Sequence, residues 1–362
     1  MSIRKLYSSV WIAAAFVSAC SNSQLDTDVT PIGAIEALRE RSLSFEVKLR
    51  ETGSATIHAS VFTSSLPSGG ATLLAVPGLA ETGKTFEPIA RAVFADRALR
   101  RRVGRVIAID LVGRGESSPP RNLPNGALFG ELTIEDNVSV VLQAVAALRE
   151  RGYAPRFIAG HSMGGLAVQA VQQTLLAQGS SLAALGIRDA ILLAPVPPHG
   201  RPWLSGPGAD LSPFIKQSAE LGGYLELSPE AFIAQAYGTL TGALAANAPT
   251  PAEVTSAGYI ALEPLVTVLQ LVESPIPLPD GTTLNLPRPS VNAGAFAPNH
   301  HTNLTLFSFS QDLLVPAGVL GDLYTYLTAE PAADGYRPIA ADDAVHNTFT
   351  SHPTLITEAF GR

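Results

Sequence analysis

The stretch "RFIAGHSMGGLAVQAV", residues 156–171, decides how the rest of the chain is read. It opens on a short apolar run and closes on a helical pattern, with Gly160-His161-Ser162-Met163-Gly164 between them. A strand that turns sharply into a helix forces the residue at the turn into a strained backbone conformation. Side chains on either neighbour would collide there, which is why glycine flanks the position. Such a turn lifts the Ser162 hydroxyl clear of the sheet at a helix N-terminus, where the helix dipole favours developing negative charge. Ser162 is therefore the candidate nucleophile.

Outward from this turn, continuous apolar runs recur at "ATLLAV" (71–76), "RVIAID" (105–110) and "DAILLAP" (189–195). Helical patterns fall between them at Phe86–Leu99, Ile134–Arg149 and Met163–Ala177. Apolar strands alternating with helices predict an α/β fold, a mostly parallel sheet with helices on both faces. Ahead of it, "LSFEVKL" and "ATIHASV" flank "RETGS" and predict a hairpin. The rhythm breaks between Pro197 and His300, which hold 15 of the 28 prolines. Helices interrupted this often cannot be sheet crossovers, so 197–300 is expected to be a helical lid insertion. Within it, "DLSPFIKQSAELGG" and "SPEAFIAQAYGTL" read as amphipathic pieces, and "PIPLPDGTTLNLP" as a small hairpin turning at Asp280-Gly281. The sheet resumes at "NLTLFSFS", followed by a helix near Val319–Leu327, a strand near "YRPIA" and a last helix from Pro353.

A serine hydroxyl needs a base, and the base an orienting acid. His346 is the leading base, in a loop between the last short strand and the last helix; His352, just before Pro353, is the second choice. His58 lies in the hairpin, His161 adjoins Ser162, and His199, His300 and His301 lie in or beside the insertion. Asp312 in "SFSQDLLVP" follows a strand at the edge where open parallel sheets gather their catalysts. Asp334, Asp342 and Asp343 are alternatives.

These features together resemble the α/β-hydrolase superfamily over nearly all of residues 41–362 apart from the insertion. The family's order of nucleophile, acid and histidine is matched by Ser162, Asp312 and His346. "DLVGRGESSPP" resembles its turn after the fourth strand, "SQDLLVP" its acid loop, and His346 with Pro353 its histidine loop and closing helix. The resemblance implies an oxyanion hole from the backbone N–H groups of Leu79 and Met163, with Pro77 standing where the family commonly has His. It divides the chain into a first core part (41–196), the lid (197–300) and a second core part (301–362). A serine nucleophile sets the chain apart from the family's dehalogenases and epoxide hydrolases, which use Asp.

A competing motif overlaps this loop. Gly78, Gly83, Lys84 and Thr85 fit the phosphate-loop pattern G-x-x-x-x-G-K-[ST], and Asp110 ends the next strand as a magnesium ligand would. The hydrolase reading makes the same glycines an oxyanion loop and ranks above the nucleotide reading.

At the N-terminus, Arg4 and Lys5 precede an apolar segment and then "VSAC", the three-part layout of a secretory signal over residues 1–19. Val17-Ser18-Ala19-Cys20 resembles the bacterial lipobox, which implies acylation of Cys20, a tether over 20–40 and an exported, membrane-anchored protein. By resemblance to the sorting rule, Ser21 favours the outer of two membranes. A composition of 46% hydrophobic and 15% charged residues is that of a folded chain, and a net charge of −7 without a basic block excludes a nucleic-acid partner. The insertion holds three basic residues (Arg201, Lys216, Arg288) and several aromatics, among them Trp203 and Phe232. That mixture points to a small apolar ester, lactone or acylglycerol, with no cofactor or metal required. A peptidase or amidase would use the same triad, and a non-catalytic binding module would need the triad broken.

Overall fold

The computed structural model describes residues 38–360 apart from 67, 202–210, 238–248, 273–275, 278–282, 285, 313, 332–334, 341–344 and 352. The signal segment, Cys20 and nearly all of the tether lie outside the described residues, as do Trp203, Asp280, Gly281, Asp334, Asp342, Asp343 and His352.

The expected hairpin forms from β1 (Leu38–Leu49) and β2 (Gly53–Ser64), paired antiparallel from Leu38↔Ser64 to Leu49↔Gly53. On β1 burial alternates, with Phe45, Val47 and Leu49 inward, as an amphipathic edge strand requires. The parallel strands follow: β3 (Ala71–Val76), β4 (Val103–Ile109), β5 (Pro155–His161) and β6 (Asp189–Leu193). After the insertion come β12 (Asn303–Phe309) and β13 (Tyr336–Ile339), giving the order β1-β2-β4-β3-β5-β6-β12-β13. The chain runs from β3 to β4 on one side and then to β5 on the other. The loops after β3 and β5 therefore flank the switch point, where open α/β sheets form their crevice.

Burial on both faces explains the continuous apolar runs. Leu74 and Val76 of β3 face one core with Ile158 and Leu192; Leu73 and Ala75 face the other with Phe157 and Leu193. Helices α3 (Ile134–Glu150) and α4 (Met163–Ala177) cover the first face, and α1 (Glu87–Ala95) the second together with Phe349, Ile356 and Phe360 near the C-terminus. Each such side chain, fully buried, contributes about 1.5–3 kcal/mol relative to exposure.

Three expectations need correcting. The helix expected over Phe86–Leu99 is interrupted: α1 stops at Ala95, and Asp96 caps a new helix, α2 (Arg97–Arg102), its Oδ1 accepting from the N–H groups of Ala98 and Leu99. An N-cap aspartate with extended backbone cannot sit inside a continuous helix. The piece "DLSPFIKQSAELGG" has only a single helical turn at Ser212–Phe214, then forms β7 (Ile215–Ser218) and runs into β8 (Gly222–Leu225), which pairs with β9 (Glu263–Pro264) in a three-stranded sheet. The closing helix from Pro353 is a series of short turns over Thr348–Phe360.

The insertion also contains α5 (Pro229–Tyr237), α6 (Pro251–Ala257) and α7 (Leu265–Val272). The hairpin expected at "PIPLPDGTTLNLP" appears as β10 (Ile276–Pro277) paired with β11 (Thr283–Leu284). Among the described residues no helix is long and apolar enough to cross a membrane.

Candidate active site

The turn between β5 and α4 has the strain its sequence implies. Ser162 sits at φ 48°, ψ −116°, a conformation costing about 1–3 kcal/mol that surrounding structure must hold. Its N–H donates to the Leu193 carbonyl at 2.9 Å, and its own carbonyl accepts from Val196 at 3.1 Å. A Cβ on Gly160 would fall 2.4 Å from the Gly164 carbonyl oxygen, and one on Gly164 would fall 2.3 Å from that of Val76. Both glycines are required by close backbone approach.

Asp312 follows β12 and His346 follows β13, on the same sheet edge as Ser162. Asp312 Oδ1 accepts from the N–H groups of Leu314 and Val315, both at 2.8 Å, and Oδ2 lies 2.8 Å from His346 Nδ1. The carboxylate therefore accepts a hydrogen bond from Nδ1–H and leaves the Nε2 lone pair of a neutral imidazole uncommitted. Burial works against the charged form of His346, but the Asp312 carboxylate outweighs it and the net shift is upward from 6.5. Ser162 and His346 line one cavity, walled by Leu79, Val196 and Leu314 of the core and by Leu227, Phe232 and Leu271 of the insertion.

The loop after β3 decides between the two readings of its glycines. Gly78 N–H donates to Glu81 Oε2 at 2.7 Å, Ala80 N–H to Glu263 Oε2 at 2.9 Å, and Gly83 N–H to Asp110 Oδ1 at 2.8 Å. Three donors a phosphate would need are already bound to carboxylates. Lys84 pairs with Glu40 over the Phe62 ring instead of turning to the loop. Asp110 also receives the Glu116 N–H and faces His58, so its carboxylate is spent on structure. By contrast, the N–H groups of Leu79 and Met163 have no protein partner among the described residues. These are the two donors expected of an oxyanion hole.

Sequence reasoning missed a second network around the same cavity. Glu81 is buried, its Oε2 2.9 Å from His161 Nδ1 and its Oε1 accepting from Asn347 Nδ2 at 2.6 Å. His161 Nε2 lies 3.1 Å from the His346 carbonyl. A carbonyl only accepts, so Nε2 donates and His161 is tied at both ends. Burial pushes the Glu81 carboxyl up, yet His161 and the Gly78 and Asn347 donors outweigh it, and the net shift is downward. Gly78 is required here too, since a Cβ would fall 2.9 Å from both Glu81 Oε2 and His161 Nδ1.

The insertion holds the loop from its other side. Glu263 forms a fully buried ion pair with Arg114, Thr82 N–H donates to the Tyr259 carbonyl, and Ala261 N–H to that of Ala80, both at 2.9 Å. Burial drives the Glu263 carboxyl up, and Arg114 and the Ala80 N–H offset this only in part. Neither pairing left a local signal, because Glu263 lies 183 positions from Ala80. No group of side chains suited to hold a metal ion occurs among the described residues.

The sequence pattern of the Alpha/beta hydrolase family matches residues 73–283, more than half of the chain. No curated protein sequence matches it. Among solved structures, a thermophilic esterase from Thermogutta terrifontis is similar at a TM-score of 0.52 and 14% identity, covering 88% of this chain and 97% of its own. The N-acyl homoserine lactonase AidH, complexed with N-butanoyl homoserine, gives 0.52 and 15%, covering 90% and 95%. A putative lipase from Acinetobacter baumannii gives 0.50 and 16%, covering 89% of each. At these identities the likeness concerns the fold.

Proposed function

Because this chain belongs to the alpha/beta hydrolase family, we propose that it is a serine hydrolase of apolar carboxylic esters, lactones or acylglycerols. The observation that carries the reading is that His346, paired with the buried Asp312, lines the same cavity as Ser162, whose backbone is strained.

In the proposed reaction, Ser162 Oγ attacks the substrate carbonyl carbon while His346 Nε2 takes its proton. The resulting oxyanion accepts hydrogen bonds from the Leu79 and Met163 N–H groups, each worth roughly 3 kcal/mol of barrier. Asp312 holds the imidazole in the productive tautomer and offsets its positive charge. The tetrahedral intermediate collapses, the alcohol leaves with the proton from His346, and an acyl-serine remains. Water then attacks that ester, giving its proton to the same imidazole, and the acid departs. Apolar walls from core and insertion would accept the acyl or alkyl portion by the hydrophobic effect.

The test is hydrolysis of short- and long-chain nitrophenyl esters by the wild type and by Ser162→Ala. Turnover that vanishes in the variant supports the reading; a wild type inert on the whole panel counts against it. The N-terminal layout further supports export and acylation at Cys20. Palmitate incorporation in cells should be lost in Cys20→Ser, and an unlabelled wild type would reject the anchor.

A further inference from the structure

The edge of the sheet opposite the cavity carries a feature the hydrolase reading does not use. In a parallel sheet all strands begin on one edge, here at Ala71, Val103, Pro155, Asp189 and Asn303. Arg101 and Arg102 precede β4, Arg156 is the second residue of β5, and Arg188 and His301 precede β6 and β12. All five are exposed. Arg101, Arg102 and Arg156 line one recess, and Arg149, Arg156, Arg188 and His301 line another, so Arg156 makes the two contiguous. Two carboxylates interrupt the cations: Asp189, 3.7 Å from Arg156, and the exposed Glu150, which ends α3 next to Arg149. This concentration occurs in a chain whose net charge is −7.

Helix dipoles account for part of it. Crossover helices run back against the strands, so their C-termini reach this edge, where cations are favoured. That explains Arg101 and Arg102 at the end of α2. It does not explain Arg156 and Arg188, which lie at strand beginnings.

Two further observations fall on the same edge. β2 is antiparallel to β4 with Phe62↔Val106, so Ser64 ends beside the start of β4, and Leu38 pairs with Ser64. The described chain therefore enters the domain on the arginine-rich edge. Just past Ser64, Leu66 is one of the two exposed large hydrophobic side chains among the described residues. The segment before Leu38 leads back to Cys20, and residues 20–37 reach about 60 Å when fully extended. Were Cys20 acylated as proposed, a link of that reach would bring the domain near a membrane.

We propose that this arginine-rich edge is a docking face for the anionic headgroups of a lipid bilayer, which seats the domain with its catalytic cavity turned away from the membrane. The guanidinium groups of Arg101, Arg156 and Arg188 meet headgroup phosphates, and Leu66 enters the interface. The inference goes beyond the hydrolase reading and draws on the proposed Cys20 anchor only for proximity.

The test uses the full chain with Cys20→Ala, so that no acyl chain contributes, sedimented with phosphatidylcholine vesicles with or without phosphatidylglycerol. Its N-terminal segment is common to every protein compared, so differences report the face. Wild-type partitioning should rise with phosphatidylglycerol and fall with salt. The triple variant R101Q/R156Q/R188Q should lose roughly a hundredfold of that partitioning and R101E/R156E/R188E more than that, the first guarding against misfolding from clustered acids. Equal partitioning onto both vesicle types, or reversal variants that bind like the wild type, would overturn the proposal, as would tighter binding to duplex DNA than to the anionic vesicles. Because the readout is sedimentation, it stands whether or not the protein hydrolyses esters, and Cys20 labelling reports separately on the anchor.

Discussion

Two imidazole–carboxylate pairs stand side by side at the cavity, Asp312–His346 and Glu81–His161, with their rings 4.6 Å apart between centroids. Each places Nδ1 within 3 Å of a buried carboxylate oxygen. They differ at the other nitrogen. His346 Nε2 has no protein partner among the described residues, whereas His161 Nε2 is closed off by the His346 carbonyl. An imidazole whose Nε2 lone pair faces the cavity can take a proton from a hydroxyl; one whose Nε2–H already donates to a backbone carbonyl cannot. The difference lies in one hydrogen bond, and it assigns His161 and Glu81 to positioning. Glu81 fixes the Gly78 N–H beside the proposed oxyanion donor of Leu79, and His161 fixes the backbone of His346.

Substitutions that break this contrast should rank in order. His346→Ala should lower kcat on the order of 10⁵–10⁶-fold, since the Ser162 hydroxyl loses its proposed base; a loss under a hundredfold would mean another group serves. Asp312→Asn should cost about 10⁴-fold by allowing the wrong tautomer. In the wild type, the upward shift of His346 places the acid limb of kcat/KM above pH 6.5, because the base works only when neutral. Asp312→Asn should move that limb to lower pH, and an unmoved limb would detach it from His346.

Glu81→Gln should have a smaller effect on rate, roughly 10–100-fold, and a larger one on stability. The carboxylate is the shared partner of the Gly78 N–H, His161 Nδ1 and Asn347 Nδ2, and weakening such buried hydrogen bonds costs about 1–3 kcal/mol, readable by urea unfolding. The Glu81 carboxyl lies below its usual 4.5 in the folded chain, so its contribution is present above pH 4.5 and is lost as pH falls through the lowered native value. That acid-dependent component should be missing from the Glu81→Gln curve. If Glu81→Gln instead abolishes turnover while leaving stability intact, Glu81 is part of the chemistry. Lys84→Ala should do least. Its pair with Glu40 is partly exposed, worth about 0–1 kcal/mol, and ATP should not shift the melting temperature of either protein.

The legible part of this molecule was the local part. The alternation of Phe45, Val47 and Leu49 gave away one strand of a hairpin, and the runs around Leu74, Ile107 and Ile158 gave away strands covered on both faces. Gly160, Ser162 and Gly164 encode their turn within five residues, because the clash that demands glycine is between near neighbours. Ser162, Asp312 and His346 could be chosen because each follows a strand, and parallel strands end on one edge. Asp96 was legible in principle, as an N-cap aspartate, but the apolar spacing on either side spoke for one helix. The supporting network was not legible. Glu81 sits among the letters of a phosphate-loop pattern, and only distant partners such as Asn347, 266 positions away, reveal it as an orienting carboxylate. Glu263 and Arg114 are likewise charged residues that a sequence would place on the surface, and folding buries them together.

Fluorophosphonate labelling followed by peptide mapping tests the core of this account without assuming any substrate. A nucleophile activated by His346 within reach of two unpaired N–H groups should take one covalent adduct, on the peptide containing Ser162. The adduct should be absent in Ser162→Ala and form far more slowly in His346→Ala. An adduct that maps to another residue, or a wild type that stays unmodified at neutral pH, would contradict the assignment of Ser162, His346 and Asp312 as one catalytic unit.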